Sequence, residues 1–186
     1  MILEASRKKG SVMLPSMRLD DKVVMVTGAG SGIGRAVAIA SAEVGAHCVV
    51  CELPHKMDDL QEVCKEIELL GQQALPVVLH LPDLESIDAA VTHAIDVFGR
   101  VDVLVNNAGV NIPKDALEVT EADWDSVMDV NLKGLFFMSQ RVAREMVKTG
   151  GGRIVNIASQ NGVIGYYKRA AYCSSKAGVV NLTRVL

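Results

Sequence analysis

Beyond residue 20 the chain alternates between two hydrophobic periods, and this limits the folds open to it more than any other feature. Val23-Val24-Met25-Val26 is a short continuous apolar run ending in glycines, the pattern of a strand buried on both faces. Residues 33–45 then carry apolar side chains at helical spacing (Ile33, Val37, Ala40, Val44) and stop at Gly45. The same alternation predicts strands at 23–26, 48–51, 75–79, 101–105 and 154–157. It predicts helices at 33–45, 56–70, 84–98 and 121–148, and one from 170 onward. Gly71 and Gly99 close two of them. Strands that alternate with helices build right-handed βαβ units on a parallel sheet, an α/β fold. No linker, repeat or low-complexity stretch divides the chain, so residues 17–186 read as one domain. In residues 1–16, Arg7-Lys8-Lys9 has no apolar stretch behind it, unlike a secretory signal. That segment is expected to be a disordered, dispensable extension ahead of Met17.

Composition excludes several functional classes. Apolar residues make up 49% of the 186, enough for a real core, and aromatics only 4%, so that core is aliphatic. Lys plus Arg number 19 against 22 acidic residues, for a net charge of −3. No basic excess exists to neutralise a phosphate backbone, so no nucleic-acid partner is expected. No apolar run is long enough to span a bilayer, so no membrane partner is expected either. Cys48 and Cys51 form a CxxC, but on a strand residues three apart point to opposite faces and cannot share a ligand. His47, His55, His80 and His93 show no metal-binding spacing. With Cys64 and Cys173 the cysteines read as scattered reduced thiols of a cytoplasmic protein without a metal site.

The first strand runs into Thr27-Gly28-Ala29-Gly30-Ser31-Gly32-Ile33-Gly34, and a helix follows. Glycines let a backbone turn sharply and approach a pyrophosphate, and the helix N-terminus offers free N–H groups to the anion. No Lys follows in a GK[ST], so this is not a triphosphate loop. Glu52 lies 24 residues after Gly28, at the end of the second strand. An acidic residue there hydrogen-bonds the adenosine ribose hydroxyls and repels the extra phosphate of NADP. No Arg or Lys occurs among residues 28–34, which also favours NAD.

The TGxxxGxG spacing resembles the short-chain dehydrogenase/reductase family, and the resemblance covers residues 19–186. Asn106-Asn107-Ala108-Gly109 matches the family's NNAG. Tyr172-Cys173-Ser174-Ser175-Lys176 is a YxxxK, with Ser159 thirteen residues earlier and Asn131 in Asn131-Leu132-Lys133-Gly134. On a helix, positions i and i+4 share a face, so the Lys ammonium can sit near the phenol. A free Tyr has a pKa of about 10, and a nearby cation lowers it.

This resemblance implies a Rossmann-type doubly wound parallel sheet. It implies a dinucleotide held by Gly28, Gly30, Ser31, Gly32, Ile33, Gly34, Glu52, Leu81, Asn107, Ala108, Gly109, Tyr172 and Lys176. Leu81 follows His80, which stands where the family has an Asp for the adenine. It also implies four catalytic residues. Tyr172 is the general acid or base. Lys176 lowers its pKa and holds the nicotinamide ribose. Ser159 orients the substrate oxygen, and Asn131 holds a water leading to Lys176. Tyr166 and Tyr167 are rivals without a Lys four residues on.

The implied activity is NAD(P)-dependent interconversion of a secondary alcohol and a ketone, with NAD preferred to NADP. Ser159-Gln160-Asn161-Gly162 and Gly165-Tyr166-Tyr167 look like members acting on sugars, sugar acids and polyols. Two alternatives stay open: a 3-oxoacyl-[acyl-carrier-protein] reductase, and an inactive remnant that only binds dinucleotide. Family members run further, so the sheet is expected to be incomplete at its C-terminal edge, with the fifth strand an apolar edge. A chain ending at Leu186 is then expected to be inactive alone. A full-length form is expected to be a homo-oligomer.

Overall fold

A computed structural model describes residues 17–186; the expected extension at 1–16 lies outside the described residues. The elements are β1 (Val23–Thr27), α1 (Gly32–Glu43), β2 (His47–Glu52), α2 (Met57–Leu69), β3 (Ala74–Val78) and α3 (Leu84–Phe98). They continue with β4 (Val103–Asn106), α4 (Glu121–Met128), α5 (Leu135–Lys148), β5 (Arg153–Asn156) and α6 (Ala170–Thr183). The five strands pair in parallel in the order β3-β2-β1-β4-β5. The α/β class and parallel sheet expected from the sequence are both present.

Every residue of β1 is buried, because alternate side chains feed two separate cores. Met25, Val49 and Leu104 pack with Ile87 of α3 and Met138 and Val142 of α5. Val24, Val26 and Val50 pack with Ala38 of α1 and Leu60, Val63 and Ile67 of α2. Cys51 belongs to the first core and Cys48 to the second, so the CxxC is split by the sheet. Among the described residues β5 is an edge strand, and Val155 on it is 45% exposed.

Most element ends differ from expectation by one or two residues, and two differences have a clear physical reason. The fourth strand begins at Val103, not at residue 101. Just before it, Asp102 turns its carboxylate onto the Val23 N–H (3.0 Å) and the Arg100 guanidinium, so that a side chain satisfies the N–H that opens β1. The predicted helix 121–148 is interrupted by a π-helical turn, Asp129–Gly134. One extra residue is taken up there without breaking the run of hydrophobic positions.

The chain leaves β1 toward β2 and β3 on one side, then crosses back to place β4 on the other. Beyond the carboxyl ends of β1 and β4 the connections diverge, and this is where open α/β sheets bind ligands.

Candidate active site

A cleft of about 410 Å³ opens at that switch point, lined by Gly28, Ser31, Ile33, Glu52, Leu81 and the backbone of 107–109 among others. Its floor is the glycine turn. Gly28 has φ +67°, and a Cβ there would sit 3.0 Å from Ala108 Cα. A Cβ on Gly34 would collide with Gly28 O and come within 2.5 Å of Asn107 Nδ2. The tight packing of helix on strand thus requires Gly at 34, while Gly28 also needs its left-handed backbone. The first bond within α1 runs from Arg35 N to Ser31 O, and the Ser31 side chain makes no capping bond. The N–H groups of Gly32, Ile33 and Gly34 have no acceptor within the helix, Ser31 and Ile33 line the cleft, and no acidic residue stands in that first turn. The arrangement suits an anion.

Glu52 forms the far rim. It is 8% exposed, and its carboxylate accepts the Leu53 N–H (3.0 Å) and the Gly30 N–H (3.3 Å). Its position is therefore fixed against the glycine turn. His80 lines the same rim in a tight turn, its N–H donated to Ser86 Oγ (2.9 Å). Leu81 is buried, and its backbone lies so close to Gly134 that a Cβ there would be 2.7 Å from Leu81 O. Lys56, at the end of the 3₁₀ turn Pro54–Lys56, also lines the cleft. Sequence reasoning missed it, as it missed Val110 and Val130, because nothing in their spacing sets them apart.

The Asn106–Asn107–Ala108–Gly109 run closes the other side. Thr27 Oγ1 accepts the N–H groups of Asn107 (3.0 Å) and Ala108 (3.1 Å). Asn107 Nδ2 donates to Thr27 O and Gly28 O, each at 3.0 Å. Asn106 Nδ2 donates to Ser139 Oγ on α5 and to Asn156 Oδ1 on β5, each at 2.8 Å. Asn156 Nδ2 reaches Thr183 Oγ1 on α6 (3.0 Å). A polar chain thus crosses the sheet from α5 to α6 beneath the site.

The predicted catalytic residues converge on α6. Lys176 is 4% exposed; its Nζ donates to Ile157 O (2.7 Å) and lies 5.9 Å from the Tyr172 ring centroid. Burial pushes its ammonium down from the usual lysine value. Asn131, in the π turn, is wholly buried. Its Oδ1 accepts the Val110 N–H (2.8 Å), and its Nδ2 donates to Val110 O (2.8 Å) and Ser175 Oγ (3.1 Å). A Cβ on Gly109 would lie 3.2 Å from Asn131 Oδ1 and 3.6 Å from Lys176 Nζ, so this glycine keeps the approach to the ammonium open. Ser159 Oγ accepts the Asn161 N–H (3.1 Å) and starts the 3₁₀ turn Gln160–Gly162. That turn packs on α6 so closely that a Cβ on Gly162 would be 2.7 Å from Lys176 O. The turn that Ser159 opens is therefore packed against the helix that carries Tyr172 and Lys176. Tyr166 and Tyr167 are exposed, each under a neighbouring cation, Arg169 and Lys168.

Residues 22–186 match the short chain dehydrogenase family. The chain belongs to that family. It is 41% identical over 168 residues to an NAD-dependent glycerol dehydrogenase of Listeria innocua, covering 90% of this chain and 64% of the relative. It is 39% identical over 168 residues to the 3-oxoacyl-[acyl-carrier-protein] reductase FabG of Thermotoga maritima, covering 90% and 68%. The crystal structure of a short-chain type dehydrogenase/reductase from Mycobacterium marinum superposes with a TM-score of 0.87 at 34% identity, covering 90% of this chain and 68% of that one. The chain thus spans about two thirds of the length of these relatives.

Proposed function

We propose that this chain carries the dinucleotide-binding and catalytic part of an NAD-dependent oxidoreductase. It interconverts a secondary alcohol and a ketone on a polyol, sugar or sugar acid. The observation that carries this reading is the buried Lys176 ammonium, one helical turn from Tyr172, behind Gly109 of the cleft wall and bonded to Ile157 O two residues before Ser159. The cleft suits the cofactor: a cradle that Cβ atoms would fill, three N–H groups at the start of α1, and a fixed carboxylate on the rim.

The N–H groups of Gly32, Ile33 and Gly34 hold the pyrophosphate, and Glu52 holds the adenosine ribose. When bound, the nicotinamide supplies or accepts the hydride. Tyr172 holds the proton at the substrate oxygen and takes it up or gives it back. The neighbouring Lys176 ammonium stabilises the phenolate that forms. Ser159 keeps its proton and donates a hydrogen bond from its hydroxyl to the same substrate oxygen, which orients it. Asn131 fixes Val110 on one side and Ser175 on the other, setting the distance between the NNAG turn and α6.

A carboxylate at 52 favours NAD over NADP, and the glycerol dehydrogenase relative supports a polyol substrate. The FabG relative supports the second reading, reduction of a 3-oxoacyl thioester. The test is a substrate panel on a full-length form with both cofactors, followed by their absorbance: glycerol, other polyols, sugar acids and a 3-oxoacyl thioester. Turnover of a polyol with NAD upholds the first reading. Turnover of the thioester alone replaces it with the second. A full-length form further works as a homo-oligomer in the cytoplasm, with Leu132, Phe136, Leu182 and Val185 of the apolar groove along α5 and α6 at the contact. Sedimentation equilibrium of that form and of its Phe136→Glu variant checks this, and a monomeric unsubstituted form overturns it.

A further inference from the structure

Between the turn that Ser159 opens and the helix that carries Tyr172 lies a loop, residues 163–169. Among the described residues, the hydrogen bonds and ion pairs that leave 163–169 for distant parts of the chain all run to Lys114 and Asp115. The Lys114 N–H donates to Lys168 O (3.0 Å). Asp115 faces the Lys168 ammonium (3.2 Å), and the Tyr167 hydroxyl is turned to the same carboxylate. Lys168 itself adopts φ +59°, a left-handed backbone that a lysine takes only where its surroundings hold it. Arg169 follows and begins α6, which places Tyr172 on the first turn. The anchor is itself braced. Lys114 Nζ donates to Asp123 Oδ2 (2.5 Å), and Asp123 forms the capping box of α4 with Thr120. α4 packs on α6, so the helix that braces Lys114 also supports the helix that carries Tyr172.

We infer that Asp115 is a positioning residue: by clamping Tyr167 and Lys168 it fixes the first turn of α6, and with it the place of Tyr172 relative to Ser159. The inference rests on the reading of Tyr172 as the proton-carrying group. Asp115 touches neither substrate nor cofactor, and it acts through the loop. Catalytic geometry tolerates little slack, so loosening the loop costs rate without weakening dinucleotide binding at the far end of the cleft. The Tyr167 hydroxyl first, and Lys168 second, hold the Asp115 carboxyl below its usual range, while Asp115 pushes the Tyr167 phenol up. This gives the clamp a spectroscopic signature.

The experiment compares the chain with Asp115→Ala, Asp115→Asn and Asp115→Glu. In Asp115→Ala, amides in 163–173 exchange hydrogen at least about tenfold faster, while β1 and β2 exchange as before. The alkaline titration of Tyr167, read in the ultraviolet, moves down toward that of free tyrosine. With NAD and the alcohol that the panel selects, kcat falls about tenfold and NADH affinity stays within about twofold. Asp115→Asn keeps an acceptor for Tyr167 but loses the ion pair, falls between, and serves if the Ala variant does not fold. Asp115→Glu recovers most of the rate. Unchanged exchange in 163–173 overturns the inference. So does faster exchange throughout β1 and β2, which would make Asp115 a general support of the fold. A loosened loop with unchanged kcat overturns it as well. Rates are read in a full-length form; if that form turns over no alcohol, the dehydrogenase reading fails, and exchange in 163–173 alone then decides whether Asp115 fixes that turn.

Discussion

Glu52 ends β2 with its carboxylate drawn against the backbone N–H groups of Gly30 and Leu53, so its charge cannot swing away from the cleft. A 2′-phosphate would meet that charge at contact range. NADH is expected to bind at least about tenfold tighter than NADPH, about 1.4 kcal/mol, and Glu52→Gln to close most of that gap. Fluorescence titration of both reduced cofactors checks this, and equal binding to the parent chain would refute it. Tyr172→Phe removes a proton and leaves a ring that still packs. In a full-length form turnover should fall by about 10²–10⁴-fold with NADH affinity nearly intact. A variant keeping more than about a hundredth of the rate would take the proton role away from Tyr172. Glu52, the glycines and the YxxxK were legible because the chemistry fixes their spacing along the chain. Asp115 and Lys56 were not. Each matters through a partner or cleft assembled from distant segments, and a single Asp or Lys in a loop carries no mark of that.

At the scale of the element, α1 departs from ordinary helices in how it begins. α3 opens on Asp83, whose side chain accepts the Glu85 N–H (2.9 Å), and α4 opens on the Thr120–Asp123 box. Both satisfy their own first turn. α1 does not, and Gly34 lets that uncapped turn press against Gly28 and Asn107. Gly34→Ala forces a methyl into backbone and should cost about 1–3 kcal/mol. Each kcal/mol lowers the melting temperature by about 2–4 °C in a chain of this size. NADH binding should weaken as well, since the turn must shift. An Ala variant that melts and binds like the parent would show that the turn has slack. Strand and helix order was readable from hydrophobic period alone. The π turn at Asp129–Gly134 was not, because Val130, Leu135 and Met138 keep an apolar face on both sides of it. The period says which face is buried and is nearly blind to one added residue. The start of β4 was misplaced for a related reason: Val101 is buried like a strand residue, but Asp102 after it serves as a knot.

That knot matters to the whole molecule. Asp102 accepts the Val23 N–H, donates its own N–H to Val23 O (2.9 Å), and accepts the Arg153 N–H at its carbonyl (2.9 Å). It joins the starts of β1, β4 and β5 at the end of the sheet opposite the cleft. Burial alone would raise its pKa, but the Arg100 guanidinium, the Val23 N–H and Lys22 together hold the carboxyl below the usual value. A carboxylate depressed in the folded state stabilises the fold above its unfolded pKa, about 4, and that contribution is lost as pH falls through the lower folded value. Asp102→Asn should therefore be less stable than the parent at neutral pH, and the gap should narrow on acidifying below about pH 4. Melting curves across that window check it, and a constant gap would mean that the charge plays no part. The same sheet also divides the thiols. Cys48 lies with α1 and α2, Cys51 with α3 and α5, and burial pushes the Cys48 thiol up to about 12 and that of Cys51 up as well. Neither reacts while its own layer stays closed, since the thiolate is the nucleophile. With Cys64 and Cys173 replaced, chains keeping only Cys48 or only Cys51 become two clocks, one per layer. The ratio of their alkylation rates reports whether the two halves of the core come apart together or one ahead of the other.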